Sequence, residues 1–266
     1  MPGTGFPTTI ASESPSTPDQ TTVNWNVLRL TTFGGVRLTQ GREDLTGAAT
    51  QPRRLAILAR LAVAGDRGVS RDKLLALLWP ESEMDRARHV LNQLLYAQRQ
   101  LFDEDSLFLG KKLLRLNPTL IWTDVAAFEV ALSEQRMEDA LGYHHGPFLD
   151  GFFLGNAPQF DAWAEAQRER LQQRLRECLA QRAARLEATH EWESASRWRR
   201  HVLDLDPLDS HASRKLAEAL IAAGDRSGAI RSIRRHRELL KTELGLDLDL
   251  GFARWLEDLE RSPTHH

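Results

Sequence analysis

Between residues 52 and 116 the chain carries a run of start and stop signals that leaves few ways to fold. Pro52 stands near the first turn of a helix, where its missing N–H costs nothing. Leu55, Ile57, Leu58, Leu61 and Ala62 follow as a buried stripe that ends at Gly65. Ser70 is a good N-cap for a second helix, Arg71 to Trp79, because its hydroxyl can accept an orphan N–H, and Pro80 stops that helix. A third helix is expected from about Glu81 to Phe102. The stretch LFLGKKLLRLN then breaks at Gly110-Lys111-Lys112 into two short apolar segments, the pattern of a β-hairpin. Three helices closed by a hairpin predict a winged helix-turn-helix, a fold whose third helix enters the major groove of DNA.

The third helix has two unlike faces. On a helical wheel Ala87, Leu91, Leu94, Leu95, Leu101 and Phe102 gather on one side, which must face a core. Asp85, His89, Asn92, Gln93, Tyr96 and Arg99 gather on the other, with Arg88 at the edge. Ordinary solvated faces are dominated by Glu and Lys. Asn and Gln can bond adenine bidentately, Arg can fork onto guanine, and Tyr or His can reach phosphates. Arg88, His89, Asn92, Gln93, Tyr96 and Arg99 are therefore the candidate base-reading residues. Candidate backbone contacts are Lys111, Lys112 and Arg115 on the hairpin and Arg53, Arg54, Ser70 and Arg71 on the preceding helices. Ser70-Arg71 is the strongest phosphate candidate of these, since helix dipole and free N–H groups add to the charge.

Charge is divided along the chain. Residues 25–122 hold 15 Lys and Arg against 10 Asp and Glu, whereas residues 123–266 hold 20 against 25. Only the first half suits an anionic partner. Residues 1–24, rich in Thr, Ser and Pro, read as a disordered tail. Residues 25–122 form the expected winged helix, opening with a hairpin in which Leu28, Leu30, Val36 and Leu38 alternate around Gly34-Gly35. Residues 123–262 form the expected second domain, and from Asp124 the chain reads as almost purely helical. There a 34-residue offset maps Leu186 to Leu220, Ala188 to Ala222, His190-Glu191 to Gly224-Asp225, and Ala195 to Ala229. That period is the tetratricopeptide one, and Leu132 to Leu141 reads as a degenerate earlier copy. The fold class is thus mainly α with a small β component.

Other features are tamer. His144-His145 lack a third ligand at regular spacing, and Asp204, Asp206 and Asp209 lack the Gly and terminal Glu of a calcium loop, so neither marks a metal site. Cys178 reads as a small core residue, and Trp163, Trp192, Trp198 and Trp255 as fillers of repeat cores. The long helix interleaves Arg168, Arg170, Arg174, Arg176, Arg182 and Arg185 with Glu165, Glu169, Glu177 and Glu187, as ion pairs or a docking surface. No nucleophile elbow, P-loop or dinucleotide fingerprint occurs, so no enzyme and no cofactor is expected. A single cysteine, with neither a signal peptide nor a membrane span, fits a cytoplasmic, nucleoid-associated protein.

The stretch QPRRLAILARLAVAGDRGVSRDKLLALLWPESEMDRARHVLNQLLYAQRQLF resembles the SARP-type transcriptional activators, in which an OmpR-like winged helix precedes a bacterial transcriptional activator domain. GPFLDGF, APQFDAWAEAQRERL, LDLDP and AAGDRSGAIR resemble that second, tetratricopeptide-like domain. The resemblance implies a promoter-binding activator, acting as a dimer on direct repeats and contacting RNA polymerase. It assigns base reading to the third-helix residues named above and backbone contact to the wing. Family members commonly carry Leu where Gln98 stands, so that edge of the core is expected to pack differently. The rival expectation is a helical-repeat scaffold whose winged helix binds protein rather than DNA. A small-molecule sensor is a third, for which no residues pick out a pocket.

Overall fold

The computed structural model describes residues 27–101 and 107–261. The tail expected over residues 1–24 lies outside them, as does Phe102. Strand β1 (Leu28–Thr31) pairs antiparallel with β2 (Arg37–Gln40), which in turn pairs with β3 (Glu43–Asp44). Leu30 lies opposite Leu38, and both are buried, so the alternation read in the sequence faces one side inward.

Helix α1 (Pro52–Ala64) begins on its proline and buries the expected apolar stripe. Short strand β4 (Val69–Ser70) leads into α2 (Arg71–Leu78), where Ser70 Oγ accepts the Lys73 N–H at 3.3 Å as N-cap. The chain leaves α2 at Trp79, one residue early. Pro80 and its turn occupy the next positions, with Ser82 N–H donating to Trp79 O at 3.3 Å. Helix α3 (Met84–Leu101) therefore starts three residues later than its punctuation suggested. Strands β5 (Phe108–Leu109) and β6 (Leu113–Leu116) form the wing, and β6 also pairs with β4. Gly110 at the wing turn has φ +85°, and a Cβ there would lie 2.1 Å from Leu113 O, so only glycine fits.

Strand β7 (Ile121–Thr123) runs parallel to β1 and completes the order β3-β2-β1-β7. It passes directly into α4 (Asp124–Ser133), and here the two halves are joined. The Asp124 carboxylate is 3% exposed. Its Oδ2 accepts N–H bonds from Thr32 at 2.6 Å and Phe33 at 2.9 Å, and its Oδ1 accepts from Thr32 Oγ1 and from Val125 N–H, both at 2.7 Å. A buried carboxylate is tolerated only when its lone pairs are met in this way. Phe33 packs against Phe128 of α4 at 5.0 Å, and Arg60 of α1 lies over the Trp163 ring at 5.2 Å. One apolar core consequently continues from β1 into the helical half.

Beyond α5 (Met137–Tyr143) come α6 (Pro158–Ala188), α7 (Trp192–Leu205), α8 (Ser210–Ala222), α9 (Arg226–Leu244) and α10 (Leu250–Arg261), each packed on its predecessor from α6 onward. The same turn recurs three times. Arg136 N–H donates to Ala131 O at 2.9 Å, Glu191 to Leu186 O at 2.8 Å, and Asp225 to Leu220 O at 2.8 Å. Each bond closes over a residue of positive φ: Gln135 at 62°, His190 at 63° and Gly224 at 83°. A fully buried alanine follows every turn at the same spacing, Ala140, Ala195 and Ala229. The 34-residue offset is therefore a repeat of structure, and the degenerate copy shares its turn though it stands further away along the chain.

Candidate nucleic-acid interface

Helix α3 presents the face that its sequence described. Ala87, Leu91 and Leu95 are buried and Leu94 is half-buried, whereas Arg88, His89, Asn92, Gln93 and Tyr96 are exposed, Tyr96 to 64%. Arg99 is half-buried, and its Nε is enclosed without a hydrogen-bond partner. Gln93 Nε2 and His89 Nε2 meet at 2.9 Å, and Arg88 pairs with Asp85 at 3.5 Å and Asp72 at 3.9 Å. Arg86 and Gln100 are exposed as well. Neither was singled out from the sequence, although placing both on the same helical wheel would have shown them.

Arg71 ties the helix to the wing. Its Nη1 donates to Asn92 Oδ1 at 2.5 Å and its Nε donates to Lys111 O at 3.2 Å. The side chain expected from sequence as a phosphate contact also positions its neighbours. Ser70 likewise uses its hydroxyl to cap α2. Lys111 and Lys112 stand exposed at the wing tip, and Arg115 is half-buried on β6.

One candidate is corrected. Arg54 is 8% exposed, with Nε enclosed and Nη1 donating to Ala48 O at 2.6 Å, so it is largely buried and serves the turn before α1 and not an open phosphate-facing surface. Its place in the first turn of α1, on the side of the apolar stripe, turns it inward. Arg53 is half-buried, with its guanidinium 5.7 Å from the Trp79 ring.

The arginines of α6 also differ from expectation. Several bond other elements, Arg168 doing so beside its pair with Glu165 of the same helix at 2.5 Å. Arg168 donates to Phe148 O at 2.7 Å and Leu149 O at 2.8 Å, Arg170 and Arg174 meet Glu129 of α4, and Arg185 donates to Gln135 Oε1 at 2.6 Å. Among the described residues no cluster suited to a metal ion occurs, and no helix is long and apolar enough to cross a membrane. Cys178 is half-buried against the core, where burial pushes its thiol pKa up.

A winged helix with a polar third-helix face, fused through a shared core to stacked helical hairpins, defines a class of two-part regulator. The chain belongs to the bacterial transcriptional activator domain family, whose model matches residues 123–257. The SARP-type resemblance read from the residues agrees with that membership. A solved structure of Mycobacterium tuberculosis EmbR in complex with a low-affinity phosphopeptide is similar in fold, with a TM-score of 0.56 at 20% identity. The match covers 90% of this chain, which spans 66% of the length of that one. No curated protein matches the chain.

Proposed function

We propose that this protein is a sequence-specific DNA-binding activator of transcription. The observation that carries the reading is the exposed row Arg88, His89, Asn92, Gln93 and Tyr96, held against the Lys111-Lys112 wing tip through Arg71. Side chains that can hydrogen-bond base edges stand on the helix, and cations stand where a wing reaches the backbone. The helical repeats supply the contact to RNA polymerase. Leu244, Leu246 and Leu250, exposed to 53%, 57% and 78% around the α9–α10 connection, support that role because large apolar groups left in water suit a protein partner. Binding as a dimer on direct repeats, in the cytoplasm at the nucleoid, follows from the same reading.

The test begins with selection of a preferred site from random duplexes, followed by fluorescence anisotropy titrations across salt. Asn92→Ala with Gln93→Ala should abolish the preference for the selected site. Lys111→Ala with Lys112→Ala should weaken all duplexes alike and reduce the salt slope by about two. Absence of any salt-dependent DNA affinity would instead favour the protein-binding scaffold.

A further inference from the structure

A cleft of about 780 Å³ is lined by residues of both the winged helix and the helical half, none of them on α3. That volume suits a small organic molecule. Leu61 of α1, Leu116 of β6 and Val125 of α4 make its lining apolar. Trp122 of β7 and Tyr143 of α5 add two aromatic rings whose centroids are 5.9 Å apart.

Charge is locally unbalanced where α6 meets α4. Arg170 and Arg174 of α6 both line it and share one carboxylate, Glu129. Arg170 Nη1 donates to Glu129 Oε1 at 2.8 Å. Arg174 Nη1 lies 3.0 Å from Glu129 Oε2, but that oxygen is enclosed and accepts no hydrogen bond. Two guanidinium groups on one carboxylate leave a positive charge over. Arg136, also in the lining, is engaged by two carboxylates, Glu134 and Asp139, so that wall offers no free cation and the positive surplus is confined to Arg170 and Arg174; Asp66 and Arg67 are one charge of each sign. Arg174, with a side chain 44% exposed, spends Nη1 on its ion pair with Glu129 and keeps its other N–H donors beside an apolar, aromatic cavity.

We propose that this cleft binds a small molecule with an apolar body and a single carboxylate or sulfonate headgroup. Arg174 is the donor to the headgroup, in the charge-assisted geometry that guanidinium offers to planar anions. Trp122 and Tyr143 take the apolar body. Because α1, β6 and β7 come from the winged helix and α4, α5 and α6 from the repeats, an occupant touches both halves and stabilises their joined state by mass action.

The probe is 8-anilinonaphthalene-1-sulfonate, titrated by fluorescence into the full chain, with decanoate and decylamine as competitors of equal chain length and opposite charge. Saturable binding is expected, displaced by decanoate and not by decylamine. Arg174→Gln, which leaves Glu129 to Arg170, should weaken the probe about tenfold, the effect of losing one charge-assisted hydrogen bond. Ala126→Trp, from an exposed position in the lining, should close the cleft. Circular dichroism of each variant checks folding, and if Ala126→Trp fails to fold, Arg174→Gln and the competitor pair decide alone. Unchanged probe binding by Arg174→Gln, non-saturable binding, or equal displacement by the two competitors would overturn the proposal.

Discussion

Arg71 donates a 2.5 Å hydrogen bond to Asn92 Oδ1, and through it the second helix of the winged domain sets the orientation of an amide on the third. An asparagine that reads adenine must present oxygen and nitrogen in fixed order. With Oδ1 marked by an arginine donor, the Nδ2 group is the free edge. Arg71→Lys keeps the charge but loses the planar fork that reaches Asn92 and the Lys111 carbonyl together. It should lower the preference for a selected duplex over random DNA about tenfold, within the range of one bidentate base contact. Affinity for random DNA and its salt slope should hardly move. Equal loss on both duplexes in anisotropy titrations would make Arg71 a phosphate contact instead.

Gln98 is fully buried on α3, and neither Oε1 nor Nε2 has a hydrogen-bond partner. Unmet amide groups in an apolar interior cost roughly 1–3 kcal/mol. Gln98→Leu, close in volume, should therefore stabilise the protein by about 1–2 kcal/mol. Urea unfolding checks it as a higher midpoint at unchanged slope. A lower midpoint would point to a buried water satisfying the amide.

The repeated turn permits a paired comparison. At Gly224, φ +83°, nothing lies within 4 Å of an added Cβ, so Gly224→Ala tests the backbone alone and should cost about 1 kcal/mol. His190 already bears the same strain at φ 63°. His190→Gly relieves that strain but adds unfolded-chain freedom, and its stability should stay within about 0.5 kcal/mol of the parent. Thermal melts of both variants measure the asymmetry.

Glu187 of α6 receives two hydrogen bonds from Arg199 of α7, both 2.7 Å, which hold its carboxyl below the ordinary glutamate range. A pKa lowered by folding means stability that is fully present above the unfolded value, about 4.3, and lost as pH falls through the folded one. Glu187→Gln should accordingly cost about 1–2 kcal/mol at pH 7. The difference from the parent should shrink below pH 4, measured by chemical denaturation along a pH series.

Local chemistry was legible in the residues, and long-range pairing was not. Ser70, Pro80 and Gly110 announced a cap, a stop and a turn because each acts on its immediate neighbours. The leucine stripe of α3 announced its own burial, and the 34-residue offset announced a repeated turn. Arg54 misled because a cation's identity does not reveal which way its side chain turns at a helix start. Nothing in sequence links Arg71 to Asn92, which depends on how α2 and α3 cross. The Arg170–Glu129–Arg174 cluster likewise needs Glu129 of α4 to meet an arginine of α6 that lies 41 residues further along the chain.

The three hydrogen bonds that Asp124 accepts from Thr32 and Phe33 leave little freedom between the end of β1 and α4. A reader of DNA built on such a joint carries its helical repeats at a set angle around the duplex. DNA turns once in about 10.5 base pairs, so shifting the bound site by half that distance would swing the repeats to the far side of the promoter, and a full turn would bring them back. For this protein, activation should then rise and fall with the rotational phase of its site, and Asp124→Ala, by loosening the joint, should blunt that periodicity before it abolishes binding.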